Sequence, residues 1–408
     1  MQNKYLYFLL SINIVFVIYT INFVFQNEYL PSPFLYDKND TFMDFFNPLY
    51  WAYNDFRYTI WNSIYPPLSF LILQFINILS GSISTSDPFL LRDISSNIKY
   101  AIFLIFLLSP ALVIYNYDKE EFSLKKKIII YFIFISSLPF LFTLERGNLI
   151  ILSLPLLSVL FTKDNQLLKI FCISLLINLK PYFILLIIPY VIQKKWKILV
   201  KILLAGLLVY LTTTILLGSN IFAFLFNFTG FNTNIFSLRE IMSLPSSIIN
   251  FSILIENYKN IPAPELFNII NILISFFYYI LLALVTYILI SCRHLLSEQE
   301  IFLIILLAMM SFLYQVGGYS VIIFLVMFPA IYKNFKYGAI AVLLIFLPLD
   351  LLPIYSDIIY DRPSYFSNNN VDINYMLGFG TILRPIVIYM LLLYISVSLF
   401  VKLHKQDA

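Results

Sequence analysis

LKIFCISLLINLKPYFILLIIPYVI runs from Leu168 to Ile192. Whether this stretch crosses a bilayer once or turns back at its middle decides the fold. It is apolar enough to span, and a single crossing needs about 20 such residues. Its centre, however, reads Asn178-Leu179-Lys180-Pro181. Proline has no N–H to donate inside a helix and disfavours helix in the residue before it. The stretch therefore predicts a hairpin of two short helices, 168–179 and 181–192, whose tip is buried in protein or faces water. Reading it as one crossing would instead flip loops 82–98, 117–126, 144–148 and 163–168.

The surrounding chain has 408 residues, of which 61% are hydrophobic and 12% charged. A soluble domain cannot hide that much apolar surface, so the bilayer must be its main solvent. Only helices and closed barrels satisfy their backbone in lipid, and the apolar runs are continuous rather than alternating. The fold class expected is an all-α polytopic membrane protein with about twelve transmembrane helices, several of them short of a full crossing. The spans read as 4–25, 99–116, 127–143, 149–162, 168–179, 181–192, 198–217, 266–291, 300–316, 319–332, 338–352 and 381–401. The first apolar run, Tyr5 to Phe25, reads as a retained signal anchor. Cys172 and Cys292 sit in or beside apolar segments and suggest no disulfide framework.

Loop charges orient this layout. Most of the 26 basic residues fall in one alternating set of loops, including Lys125 to Lys127, Lys194, Lys195, Lys197 and Lys201, and the acids are biased to the other set. By the positive-inside rule the lysine-rich loops and both termini are cytoplasmic. This requires that Pro66 to Gly81 form a short helix dipping in from the outer side. Segments 26–98, 218–265 and 353–380 then face outward.

The first of these carries DTFMDFFNPLYWAYNDF, Asp40 to Phe56. If it is helical throughout, Asp40, Asp44 and Asn47 stand at i, i+4 and i+7 on one face. An amphipathic helix of this kind lies on the membrane surface with its aromatics down. Its acids are then either merely solvated or include a general base for an acceptor hydroxyl. Tyr65-Pro66-Pro67-Leu68 follows as a turn and helix start, and Tyr65 could line a sugar site. In Glu145-Arg146-Gly147-Asn148, Glu145 either pairs with Arg146 or leaves Arg146 free to grip an anionic headgroup, as guanidinium suits phosphate. Gly147 permits a tight turn or a close approach. Lys180, at the hairpin tip, is a snorkelling lysine or a second phosphate contact. Arg239 and Arg384 are weaker candidates of the same kind.

Both histidines, His294 and His404, fall on the cytoplasmic side, and the chain has no phosphate loop, dinucleotide fingerprint or zinc-ligand spacing. No cytoplasmic loop is large enough for a nucleotide sugar. A donor met on the outer face should arrive attached to lipid, and a lipid phosphate leaving group would explain Arg146 and Lys180 together. The outer acids are numerous enough to hold a divalent metal, although no ligand spacing stands out. No nucleic-acid partner is expected.

Together these pieces resemble the GT-C superfamily of polyprenyl-phosphate-dependent glycosyltransferases, most of all the GT87 family, the bacterial mannosyltransferase-like group. The matching features, in family order, are the acidic first outer loop Asp40–Asp44, then Tyr65-Pro66-Pro67-Leu68, Arg146-Gly147-Asn148, and Leu179-Lys180-Pro181-Tyr182. The resemblance covers residues 1–195 as a catalytic module. Residues 196–408 resemble the family only as a variable helical half of the same single domain. It implies inverting transfer of a sugar from a polyprenyl-phosphate donor to a glycan or glycolipid acceptor at the periplasmic face of the cytoplasmic membrane, with a first-loop aspartate as base. Asp44 or Asp40 fills that position, Asp44 lying nearer the aromatic core of the helix. The same resemblance brings Asn148 and Tyr182 into the substrate-binding set. Two other readings compete. One is a polysaccharide polymerase of the O-antigen type, which also uses lipid-linked sugars. The other is a lipid-linked saccharide transporter or flippase, which predicts ionisable residues along a path from both sides. The absence of an internal repeat counts against that last reading.

Overall fold

The computed structural model describes residues 3–31, 34, 38–85, 87–230, 263–291, 293–313, 316, 318–367 and 369–404. Arg239 and Cys292 lie outside them. The first half is built from α1 (Asn3–Asn27), α2 (Met43–Ala52), α3 (Pro67–Leu79), α4 (Pro88–Ile94), α5 (Ser96–Tyr115), α6 (Leu124–Ile135), α7 (Leu138–Arg146), α8 (Ser153–Thr162) and α9 (Gln166–Leu179). Next come α10 (Ile188–Ile192), α11 (Trp196–Leu216), α12 (Ala223–Gly230), α13 (Ala263–Ser291), α14 (Glu298–Phe312), α15 (Phe324–Asn334) and α16 (Lys336–Ile345). Two strands, β1 (Pro353–Pro363) and β2 (Asn370–Gly378), precede the last helix, α17 (Phe379–His404).

Among the described residues four helical stretches are long and apolar enough to cross a membrane: Lys4–Asn27, Ser96–Tyr115, Trp196–Leu216 and Leu383–Lys402. The pair α6 and α7, bent by 56° at its break, adds a fifth if the two together make one span. Where about twelve spans were expected, the remaining apolar helices are mostly short, 10–17 residues. Stretch 127–143, read as one span, is broken at Ser136-Ser137. Pro139 cannot continue the hydrogen-bond ladder of α6 and instead stands in the first turn of α7. The break expected at Lys180 is present: α9 ends at Leu179, Lys180 is extended (φ −141°, ψ 117°), and Pro181 opens a tight 3-10 turn, Pro181–Ile187, leading into α10. The short helix expected over Pro66 to Gly81 is α3, with Pro67 in its first turn.

Lipid and core faces separate as the solvent demands. α1 exposes Phe8, Val15, Ile18 and Phe25, whereas α14 is buried continuously from Ile301 to Leu307 and α15 from Phe324 to Phe328. A helix that is apolar all round belongs inside a larger helical assembly.

The expectation of an all-α chain needs one correction. β1 and β2 pair antiparallel, with Tyr360 opposite Ile373 and Pro363 opposite Asn370. Their β-branched and aromatic residues suit a pleated ribbon, but interleaved Asp and Asn make the segment read as a loop. The hairpin docks on the end of α1. Tyr365 N–H donates to the Glu28 carbonyl at 3.0 Å, and Phe366 stacks on Phe25 with centroids 5.3 Å apart. The hydroxyls of Ser364 and Ser367 donate to the Glu28 carboxylate and hold it below the usual carboxylate range.

Several lysine-rich loops meet in ion pairs. Glu298, at the start of α14, takes Lys169 of α9 at 2.6 Å and Lys195 at 2.8 Å, and Lys333 pairs with Glu121 at 3.2 Å. Burial alone would raise the Glu298 carboxyl, but the two ammonium groups outweigh it and hold it low. A carboxylate depressed in the folded state stabilises above its unfolded pKa, and that stability is lost as pH falls through the folded value. Glu298→Gln would leave Lys169 buried without its counter-charge. Thermal unfolding in detergent at neutral pH should show a loss of about 2 kcal/mol, less than for a fully buried pair because Lys195 keeps water access. The gap to the parent protein should close as pH falls through the depressed value.

Candidate active site

The acidic stretch does not fold as one helix. Lys38–Asp40 is a single 3-10 turn, and Phe42 takes a left-handed backbone (φ 62°, ψ 10°) before α2 opens at Met43. Asp40 therefore precedes the helix instead of sharing a face with Asp44 and Asn47, which corrects the helical-face reading. A bulky residue at positive φ is uncommon and costs about 1–2 kcal/mol. Here it is held by its own N–H, which donates to the Glu145 carbonyl at 2.7 Å. α2 then buries Met43, Phe45, Phe46 and Leu49 and leaves Asp44 on its other side.

Asp44 is met by the last residue of α7 and by the turn after it. Arg146 Nη2 donates to Asp44 Oδ1 at 2.6 Å, and Asn148 Nδ2 donates to Asp44 Oδ2 at 2.7 Å. Arg146 Nη1 donates to the Asp40 carbonyl oxygen at 3.1 Å and lies 3.7 Å from Asp40 Oδ2. Asn148 Oδ1 accepts from Ile150 N–H, which fixes the orientation of the amide. Gly147 ends α7 in the left-handed conformation (φ +65°), as helix ends commonly do. It also lets α2 approach, since a Cβ there would meet Phe45 Cβ at 3.0 Å and the Phe42 ring at 3.3 Å. The Asp44 side chain keeps 19% exposure while Arg146 keeps 10%, so the pair is enclosed but not sealed.

Lys180 stands beside this pair. Its Nζ lies 4.4 Å from the centre of the Tyr65 ring and 5.7 Å from that of Tyr319, and the charge on Asp44 acts on both Lys180 and Tyr65. Burial pushes the Tyr65 phenol well above its ordinary value, so it stays protonated. α3 and α9 are tied at this point by the Ser69 hydroxyl, which donates to the Leu179 carbonyl at 3.0 Å. Tyr182 follows on the 3-10 turn and faces Ser320 at 3.5 Å.

Asp44, Asp40, Tyr65, Arg146, Asn148 and Lys180, chosen from scattered motifs, are thus brought together. Asn47 is half-buried one turn along α2 from Asp44. Glu145 is buried, but Arg146 turns to Asp44 rather than to it, and neither carboxylate oxygen of Glu145 has a hydrogen-bond partner among the described residues. Arg384 is taken up elsewhere. It pairs with Asp350, and its Nε and Nη2 donate to the carbonyls of Ile345 and Leu347, both at 2.9 Å. Arg239 lies outside the described residues. Sequence reasoning missed Tyr319 and Thr41. Tyr319 comes from the distant turn Gly318–Ile323, and no local pattern marks it. Thr41 touches Tyr365 Oη at 2.6 Å, joining the acidic loop to the β-hairpin.

The arrangement is one aimed carboxylate between a guanidinium and an amide, with a second cation boxed by aromatic faces. It can accept a proton at Asp44 and stabilise an anion between Arg146 and Lys180. Among the described residues no group of three or more His, Cys, Asp or Glu side chains could hold a metal ion.

The family model for glycosyltransferase family 87 matches residues 64–315. The match begins just past the acidic helix, includes Tyr65, Arg146, Asn148 and Lys180, and runs well beyond residue 195, where the sequence motifs stop. No curated protein and no solved structure matches the chain.

Gly147 and Gly218 share a positive φ, +65° and +66°, but an added Cβ at Gly218 meets nothing within 4 Å. Both Gly147→Ala and Gly218→Ala should carry the left-handed cost of about 1–2 kcal/mol. Gly147→Ala should lose on the order of 1 kcal/mol more by pushing α2 away. Thermal unfolding of the two variants side by side measures the difference, and equal losses would mean that α2 does not rest on this turn.

Proposed function

The chain belongs to glycosyltransferase family 87, and from that premise we propose that it transfers a sugar from a polyprenyl-phosphate carrier to a glycan or glycolipid acceptor, with inversion. In this reading Asp44 takes the proton of an acceptor hydroxyl as its oxygen attacks the anomeric carbon. The bond from that carbon to the phosphate oxygen breaks, and the prenyl phosphate leaves with the bonding pair. A direct displacement of this kind inverts the anomeric centre. Arg146 and Lys180 receive the negative charge that grows on the phosphate, where preorganised cations contribute most. Tyr65 and Tyr182 offer aromatic faces to the sugar. Asn47, Glu145 and Asn148 are proposed as further polar contacts around it.

The observation that carries this reading is the Asp44–Arg146–Asn148 cluster with Lys180 at its side. A base alone would not need two cations, and a phosphate clamp alone would not need an oriented carboxylate. The lysine-rich network at Glu298 supports the sidedness. Lys169 and Lys180 sit near opposite ends of α9, about 16 Å apart at the helical rise. If the lysine-rich loops are cytoplasmic, the site faces the periplasm, where a lipid-linked donor is the available form of activated sugar.

With the full chain in proteoliposomes, Asp44→Asn should keep its thermal stability and its affinity for prenyl phosphate while transfer falls by roughly 10²–10⁴-fold. Lys180→Gln should raise KM for the donor. In cells, deleting the chain should cause a polyprenyl-linked sugar to accumulate in lipid extracts. Transfer undiminished in Asp44→Asn would remove Asp44 as the base, and an unchanged lipid profile would argue against a lipid-linked donor.

A further inference from the structure

The acidic loop is held by a residue that no motif singled out. Arg92 lies on α4, is 6% exposed, and points its Nη1 into the backbone of the loop. That nitrogen donates to the carbonyl oxygens of Lys38 and Asn39, each at 2.9 Å, and of Thr41 at 3.4 Å. The carbonyl left between them, Asp40, is the one taken by Arg146. Two guanidiniums thus gather four successive carbonyls, residues 38 to 41. Asp93 Oδ1 accepts from Arg92 Nε at 2.8 Å and sets the plane of the fork. α4 itself is started by Asp87, whose carboxylate accepts from Leu90 N–H at 3.1 Å.

Within the loop, Thr41 N–H bonds the Lys38 carbonyl at 3.3 Å, and the chain then enters left-handed Phe42. Such a short, strained turn has little of its own to hold its shape, yet it sets where α2 begins and so where Asp44 sits. Arg suits the task because Asp93 fixes its plane through Nε while Nη1 reaches the loop, a division of donors that the single nitrogen of a lysine does not offer.

We propose that Arg92 is a positioning residue for the transfer reaction. By holding the carbonyls of residues 38–41, it fixes Asp44 against the acceptor hydroxyl without touching a reacting atom. This rests on the function proposed above. Small misplacements of a catalytic group cost roughly 10- to 100-fold in rate, so Arg92→Gln should lower kcat by about that factor and leave KM within about threefold. Arg92→Lys should recover part of the loss.

The test uses the full chain in proteoliposomes with prenyl-phosphate mannose and prenyl-phosphate glucose as donors, together with hydrogen exchange over residues 42–46. Faster exchange there in Arg92→Gln, with reduced kcat and retained KM, is the expected result. Unchanged kcat and exchange would overturn the proposal, as would a raised KM at full kcat, which would make Arg92 a substrate ligand. If Arg92→Gln does not fold, Arg92→Lys decides. Lower kcat with faster exchange supports positioning, and parent-like values in both overturn it. If the parent protein transfers from neither donor, the reading of the reaction fails with these donors. The exchange difference still reports whether Arg92 holds the loop.

Discussion

The site depends on one enclosed ion pair, Asp44 with Arg146 at 2.6 Å. It joins α2 to the last residue of α7 across about a hundred residues of sequence, and nearby contacts are arranged to make it possible. Phe42 turns left-handed to bring α2 into place, its N–H is caught by the Glu145 carbonyl, and Gly147 removes the side chain that would keep the helices apart. An enclosed pair is a poor way to gain stability, because desolvating both ions offsets most of their attraction. Its value here is orientation. One carboxylate oxygen faces a guanidinium and the other an amide, so the side chain cannot turn without losing a partner.

The second element is a cation that the protein leaves without an ion pair among its described residues. Lys180 is met by the faces of Tyr65 and Tyr319. Aromatic faces attract an ammonium without cancelling its charge. The backbone around it is broken, and broken backbone at membrane depth is tolerated only where protein or water meets the freed groups. Lys180 N–H still donates to the Leu176 carbonyl at 3.0 Å, and Ser69 covers the Leu179 carbonyl. Helix ending and cation placement thus follow from the same Lys-Pro pair.

Much of this was readable from residue order alone, and the failures share a cause. The helical class follows from continuous apolar runs, and the stop at Leu179 from Lys180-Pro181. Asp44, Arg146, Asn148 and Lys180 stood out because charge and amide groups are conspicuous in an apolar chain. What could not be read depends on contacts between distant segments. Asp40 leaves the face of α2 because Glu145, a hundred residues away, captures Phe42. Arg384 reads as a free cation but meets Asp350 from the turn before the hairpin. Arg92 is an arginine in a short helix until the carbonyls it faces are known, and the hairpin of β1 and β2 is hidden by the polar residues on its strands. The bend between α6 and α7 follows from Pro139, which cannot continue the ladder of α6.

The helix α9 joins two unlike cations. Lys169, near its start, is locked to Glu298, and Lys180, just past its end, rests against the faces of Tyr65 and Tyr319. α9 is therefore a spacer of set length and set angular phase. Each residue of helix adds about 1.5 Å and turns the chain by about 100°. An insertion or deletion inside α9 cannot leave both lysines in register with their surroundings, however apolar the added residue. The apolar residues between them can exchange with one another far more freely than their number can change.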